Sequence, residues 1–243
     1  MPWIGALSSL WNQAKLYKLR LSGVSMSSGI CLVCGGLDAD NSGVCDGCLA
    51  DFPRRREPRL IRNIAFVEVA FAAYRYEFPI TSLIKSAKFH ADFGALALLR
   101  AGFAQTLEAH LGEIDFLVPV PLSLWRFMQR GFNQAGELAR GLGEASGKPV
   151  HYGLVTRRHG RSAPQSRLGA AARHENIKGA FRVTAQVRGA RVAIIDDVIT
   201  TGATCSSVAA VLKAAGAARI IAVAVAATPR RHEDGHEIRC RGW

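Results

Sequence analysis

One run of residues, Val192-Ala193-Ile194-Ile195-Asp196-Asp197-Val198-Ile199-Thr200-Thr201-Gly202-Ala203-Thr204, sets an apolar strand against two adjacent acids, then hydroxyls around a glycine. In an open parallel sheet, ligands bind beyond the carboxyl ends of the strands. Asp196 and Asp197 there can accept hydrogen bonds from a sugar diol. The bend Thr200, Thr201, Gly202, Ala203, Thr204 offers backbone N–H groups and hydroxyls to a phosphate at a helix N-terminus. Gly202 permits close backbone approach. Paired acids repel a polyphosphate, so they face the sugar, and the chemistry is that of a ribose 5-phosphate cradle. A chance strand-turn-helix and a Walker-B-like strand are the competing readings. No G-x4-G-K-[ST] loop is present, which excludes a P-loop NTPase.

A second constellation is Cys31, Cys34, Cys45 and Cys48, spaced C-x2-C-x10-C-x2-C. Two CxxC turns close a tetrahedral Zn2+ site, and four thiolates leave no open position, so the ion is structural. Redox CxxC units are the alternative. Cys205 falls in a helical context and Cys240 in a polar tail; neither is assigned to metal. The seven histidines show no metal-like spacing that brings partners with it. Gly141-Leu142-Gly143 is half a dinucleotide fingerprint inside a helical pattern and carries no cofactor.

The elements that must position these groups follow from the rest of the pattern. With 243 residues, 49% hydrophobic and 21% charged, the chain suits one large domain, or one domain plus a small module, and excludes a disordered tail protein. No run reaches the ~18 apolar residues of a membrane span. Residues 1–22 predict an amphipathic helix, read as docking in preference to membrane contact. Residues 28–53 hold the cysteine module. A basic arm follows, Pro53-Arg54-Arg55-Arg56-Glu57-Pro58-Arg59. Strands are expected at 64–76, 116–119, 150–155, 181–184, 192–195 and 220–226. Helices are expected from Pro79 to Phe89, from an Asp92 cap to Leu111, over 134–146 behind Asn133, and from Gly202 to Ala215. Alternating apolar strands and helices over 64–228 indicate a mostly parallel α/β sheet, with 229–243 a polar tail. Apolar residues precede Lys15, Lys18 and Arg20, the reverse of a secretory signal, so a reducing, cytoplasmic setting is expected. The formal charge of +12 points to a polyanionic partner, with a generally basic proteome as the plain alternative.

The 192–204 run resembles the phosphoribosyl pyrophosphate (PRPP) motif of type I phosphoribosyltransferases. Pro119-Val120-Pro121 with Arg130-Gly131-Phe132-Asn133-Gln134, Ile84-Lys85 with Lys88-Phe89, and Gln165, Leu168, Arg173, Asn176 with Ala180-Phe181 resemble the competence protein F (ComF, GntX-like) family. The double CxxC is similar to that family's too, so the likeness spans about 31–228. The resemblance implies a type I phosphoribosyltransferase fold with a zinc-ribbon-like N-terminal module. It implies that Asp196 and Asp197 contact the ribose hydroxyls, that Thr200–Thr204 hold the 5-phosphate, and that Val120, Pro121 and Leu122 form the pyrophosphate loop. Residues 157–175, with Arg161, Gln165, Arg167 and Arg173, correspond to a mobile loop; its five arginines make a positive lid over a leaving pyrophosphate. Two functions stay open. One is an enzyme performing pentosyl transfer from PRPP with Mg2+. The other is a single-stranded DNA-binding protein of the DNA-uptake machinery in which the phosphoribosyl site is regulatory. Acceptor and oligomeric state are not legible.

Overall fold

The computed structural model describes residues 29–31, 33–38, 44–50, 59–61, 63–158 and 179–228. The expected helix over 1–22, most of the arginine arm, residues 159–175 of the expected lid and the tail 229–243 lie outside them. The first described helix is α1 (Asp46–Ala50), followed by strands β1 (Arg59–Ile61) and β2 (Val69–Arg75). Next come α2 (Ile80–Phe89), α3 (Phe93–Leu107), a 3-10 turn (Glu108–Leu111), β3 (Phe116–Pro119), α4 (Leu124–Arg130) and α5 (Gln134–Ser146). The chain continues through β4 (Val155–Arg157), β5 (Phe181–Val183), β6 (Arg191–Ile199), α6 (Ala203–Ala214) and β7 (Arg219–Ala227).

Five strands form one sheet in the order β1-β2-β7-β6-β3, parallel except for the antiparallel edge strand β1. β4 and β5 make a separate antiparallel pair. The central strands β6 and β7 are buried on both faces, which explains their unbroken apolar runs Val192–Ile195 and Ile220–Ala227. On one face α2, α3 and α5 pack over Ala193, Ile195, Ile221 and Val223. On the other α6 and the β4-β5 pair cover Val192, Ile194, Ala222 and Ala224. The strands start from a lattice of ion pairs. Arg219 bridges Glu68 at 2.8 Å and Glu113 at 3.2 Å, and Arg191 meets Asp115 at 2.8 Å.

Helix starts obey their caps. Asp92 accepts the Ala95 N–H at 3.0 Å and opens α3, and Asn133 accepts the Ala135 N–H at 3.1 Å and opens α5. Gly141 and Gly143 lie inside α5 where a Cβ would strike Arg100 and the Lys148 carbonyl, so they serve close packing.

Three expected strands differ in extent by more than a residue at either end. The first five residues of 64–76 form a turn, closed by the Val67 N–H on the Ile64 carbonyl, and the strand begins at Val69. Residues 150–155 do not make one strand: Val150 bridges Leu117 at the sheet edge, and β4 starts only at Val155. β4 also takes Arg157 out of the expected loop. The third difference bears on function: β6 does not stop at Ile195 but runs through both acids to Ile199.

Candidate functional site

β6 carries Asp196 and Asp197 at its carboxyl end, still paired with β7 through Asp196↔Ala224 and Val198↔Ala226. Successive side chains of a strand leave on opposite faces. Asp196 therefore shares the α6 side with Val192 and Ile194, and Asp197 the α2 side with Ala193 and Ile195. Both are half-buried. Asp196 Oδ1 accepts the Asp197 N–H at 2.9 Å. Burial, then the charge of Asp197, pushes the Asp196 carboxyl up to about 7, against the lowering effect of that N–H and of Lys88. Asp197 Oδ2 meets Lys88 Nζ, from the last turn of α2, at 2.7 Å.

The segments flanking these acids converge on the same end of the sheet. After Ile199 the chain turns through exposed Thr200 and Thr201 into Gly202, which has φ +79°. A Cβ at 202 would also lie 2.9 Å from Ile64, so glycine is required there by both conformation and contact. The Thr201 hydroxyl accepts the Ala203 N–H at 3.4 Å, and Thr204 stands half-buried in the first turn of α6. The first turn of a helix lacks intrahelical partners for its N–H groups and favours an anion. Beside it runs the loop after β3. The Val120 N–H donates to the Ile195 carbonyl at 2.9 Å, and Asn133 Nδ2 holds the Val120 carbonyl at 3.0 Å, fixing Val120-Pro121-Leu122 against the end of β6.

Cations surround this rim. Arg130 donates to Gln134 Oε1 at 3.1 Å and lies over the Phe89 ring at 5.6 Å. Arg157, half-buried at the end of β4, lies over Phe181 at the same distance. Burial pulls both guanidinium pKa values down; at Arg130 the charge of Asp197 opposes this and that of Arg126 adds to it, and at Arg157 that of Arg126 adds to it.

Away from the rim, Cys31, Cys34, Cys45 and Cys48 bring their sulfurs within 4.8 Å of one another. Cys31 Sγ accepts the N–H groups of Val33 and Cys45, and Cys34 Sγ that of Gly36, each at 3.4 Å. Burial alone would raise the Cys31 thiol; the N–H groups of Cys34, Cys45 and Val33 outweigh it and bring it to about 6, while burial pushes Cys48 up. Four convergent thiols with N–H donors on their sulfurs fit a tetrahedral divalent ion. Val33 and Leu98 of α3 join this cluster to the main core.

The family model for the phosphoribosyl transferase domain matches residues 106–241. The DNA utilization protein YhgH of Escherichia coli K12 is 32% identical over 199 residues, covering 79% of this chain and 87% of that protein. This chain is a ComF-like member of the phosphoribosyl transferase domain family. Competence protein F of Haemophilus influenzae is 31% identical over 150 residues, or 58% of this chain and 65% of its own. A purine phosphoribosyltransferase from Pyrococcus horikoshii aligns over 56% of this chain and 74% of its own at 20% identity, with a TM-score of 0.34.

Within this phosphoribosyl transferase domain, the structure gathers Asp196, Asp197, Thr200–Thr204 and Val120–Leu122 at one end of the sheet and sets the four cysteines apart from them. Arg161, Gln165, Arg167 and Arg173 lie outside the described residues. Cys205 is buried at the start of α6, and burial together with the Asp196 charge raises its thiol far above the usual range, which disfavours the thiolate. Sequence reasoning gave Lys88 and Gln134 no role. Lys88 could have been found from its place in the last turn of α2, once that helix is known to end at the sheet's carboxyl edge. Among the described residues no helix is long and apolar enough to cross a membrane.

Proposed function

We propose that this chain binds PRPP or a ribose 5-phosphate nucleotide, with Mg2+, at the carboxyl end of β6. The observation that carries the reading is the junction of Asp196-Asp197, the Gly202 bend opening α6, and the loop after β3, all within one rim. Asp196 and Asp197 accept from the ribose hydroxyls. The Thr200–Thr204 bend receives the 5-phosphate, and the Val120–Leu122 turn backs the pyrophosphate. Mg2+, when bound, neutralises the pyrophosphate oxygens, and the rim carboxylates suit the water shell of such a hard cation. In pentosyl transfer the pyrophosphate leaves with the C1–O electron pair, and a nucleophile's lone pair closes on the oxocarbenium-like carbon. The protein's part is position and electrostatics rather than a covalent nucleophile. The arginine-rich 157–175 segment belongs to this reading as the cover over the leaving group. The cysteine module holds one structural Zn2+, and the protein works in the cytoplasm.

PRPP with Mg2+ is expected to raise the melting temperature. An Asp196→Asn, Asp197→Asn double variant is expected to lose that shift while keeping its circular dichroism. A wild type that ignores PRPP and every ribose 5-phosphate ligand sinks the reading.

A second reading has its own support. The names of the relatives, DNA utilization protein and competence protein, and the +12 charge favour a single-stranded DNA-binding protein of DNA uptake whose phosphoribosyl site is regulatory. Binding to a short single strand would then weaken steeply with salt and fall when Arg54, Arg55, Arg56 and Arg59 are neutralised.

A further inference from the structure

The segment Arg130-Gly131-Phe132-Asn133-Gln134 joins α4 to α5, and only part of it is spent on the fold. Phe132 is buried against Phe93, with ring centroids 5.5 Å apart. Asn133 caps α5 and holds the Val120 carbonyl. Arg130 and Gln134 are left over. Gln134 is 3% exposed, a rare burial for a polar side chain. Its Oε1 accepts from Arg130, and this fixes the amide: turned the other way, it would set NH2 against a guanidinium, donor against donor. Gln134 Nε2 is thereby left buried with no hydrogen-bond partner. A buried donor without an acceptor costs free energy, and a native fold that keeps one invites a ligand explanation.

The surroundings say which ligand atom fits. Arg130 spends one donor on Gln134, and its guanidinium lies over the Phe89 ring at 5.6 Å. The neighbouring acid, Asp197, already faces Lys88 at 2.7 Å. What remains beside Gln134 Nε2 is a planar cation with donors to spare, an arrangement for oxygen that carries negative charge. We propose that Arg130 and Gln134 form a seat for an oxyanion, a phosphoryl or carboxylate oxygen, on the α2 side of the rim and separate from the 5-phosphate cradle at Thr200–Thr204. The seat rests on the phosphoribosyl reading above and deepens it: the oxyanion belongs either to the pyrophosphate or to an acidic group on the acceptor.

Calorimetric titration of the full chain with three probes separates these sources: Mg2+-pyrophosphate, orotate as a heterocyclic carboxylate, and ribose 5-phosphate. The deciding variant is Gln134→Glu. It keeps an oxygen for Arg130 and the side-chain size, but it replaces the free donor with an acceptor. The seat predicts at least a tenfold loss for pyrophosphate or for orotate, with ribose 5-phosphate within twofold of wild type; the probe that is lost names the source. Arg130→Lys keeps the charge without the planar fork and is expected to lose at least threefold for the same probe, which decides the matter if Gln134→Glu does not fold. Variants that bind both anions as wild type does, or a wild type that binds ribose 5-phosphate but neither anion, overturn the seat and leave the phosphoribosyl reading standing. A wild type that binds none of the three overturns both.

Discussion

Asp196 is half-buried, yet it must be charged to serve a sugar diol well as an acceptor. Its carboxyl is raised to about 7, first by burial and then by Asp197. In the unfolded chain an aspartate titrates near 3.9. Between pH ~4 and ~7 the native state therefore holds a proton that the unfolded state has lost. Stability must fall as pH rises across that window, and the cost is fully present above it. Asp196→Asn keeps the oxygen that accepts the Asp197 N–H and removes the titration. The variant should gain stability over wild type at pH 8, by at most about 4 kcal/mol for a shift of this size, and much less at pH 4. Denaturant unfolding of both proteins at the two pH values measures this. An equal gain at both pH values would show that Asp196 is an ordinary surface carboxylate. The same exchange should weaken ribose 5-phosphate binding, so stability and ligand affinity are set against each other at one atom.

At the scale of elements, the bend between β6 and α6 joins two constraints that single substitutions can separate. Gly202 has φ +79°, where a side chain costs about 1–2 kcal/mol. It also lies against Ile64, 2.9 Å from where a Cβ would stand. Gly202→Ala is expected to lower the unfolding free energy by both amounts. Adding Ile64→Ala should restore the contact part only, so the two changes together cost less than their sum; strict additivity would show that Ile64 yields freely. This element also shows what a sequence can disclose. The strands at 116–119, 192–195 and 220–226 were legible because both faces are buried, and α3 and α5 because Asp92 and Asn133 cap them. The continuation of β6 through Asp196 and Asp197 was not, since carboxylates interrupt the apolar pattern while the backbone ladder to β7 goes on. β1, three residues at a sheet edge, owes its form to pairing with β2 and has no pattern of its own. The residue types of the candidate site were legible as a run. The contact of Lys88 with Asp197 arises where α2 and β6 meet, which no local pattern encodes, whereas that of Arg130 with Gln134 spans only four residues across the junction of α4 and α5.

Across the whole molecule the charges of the described residues are sorted by end. At the start of the strands Arg191 and Arg219 are matched by Glu68, Glu113 and Asp115. At the carboxyl rim Lys88 pairs with Asp197, and Arg130 feels the charge of the same acid, so the rim is the end suited to a polyanion. The cysteine cluster is a separate set of buried residues and meets the core through Val33 and Leu98. Its own buried set is small: Cys31, Val44, Cys45 and Cys48. Such a cluster contains too little apolar surface to order itself, and an ion bound to its four thiolates would supply most of its folding free energy. The sheet, by contrast, is held by two apolar layers that include none of the four cysteines. Elemental analysis should therefore find about one zinc per chain. Chelation, or Cys31→Ser, should strip hydrogen-exchange protection from the amides of Cys31, Gly35 and Cys45 while leaving those of β6 and β7 as they were. The response to PRPP should survive as well, because no cysteine of the cluster reaches the rim. If chelation instead melts the sheet, the packing of Val33 and Leu98 against both the cysteine cluster and the core binds module and sheet into one cooperative unit, and Leu98→Ala in the zinc-loaded protein should then loosen both together.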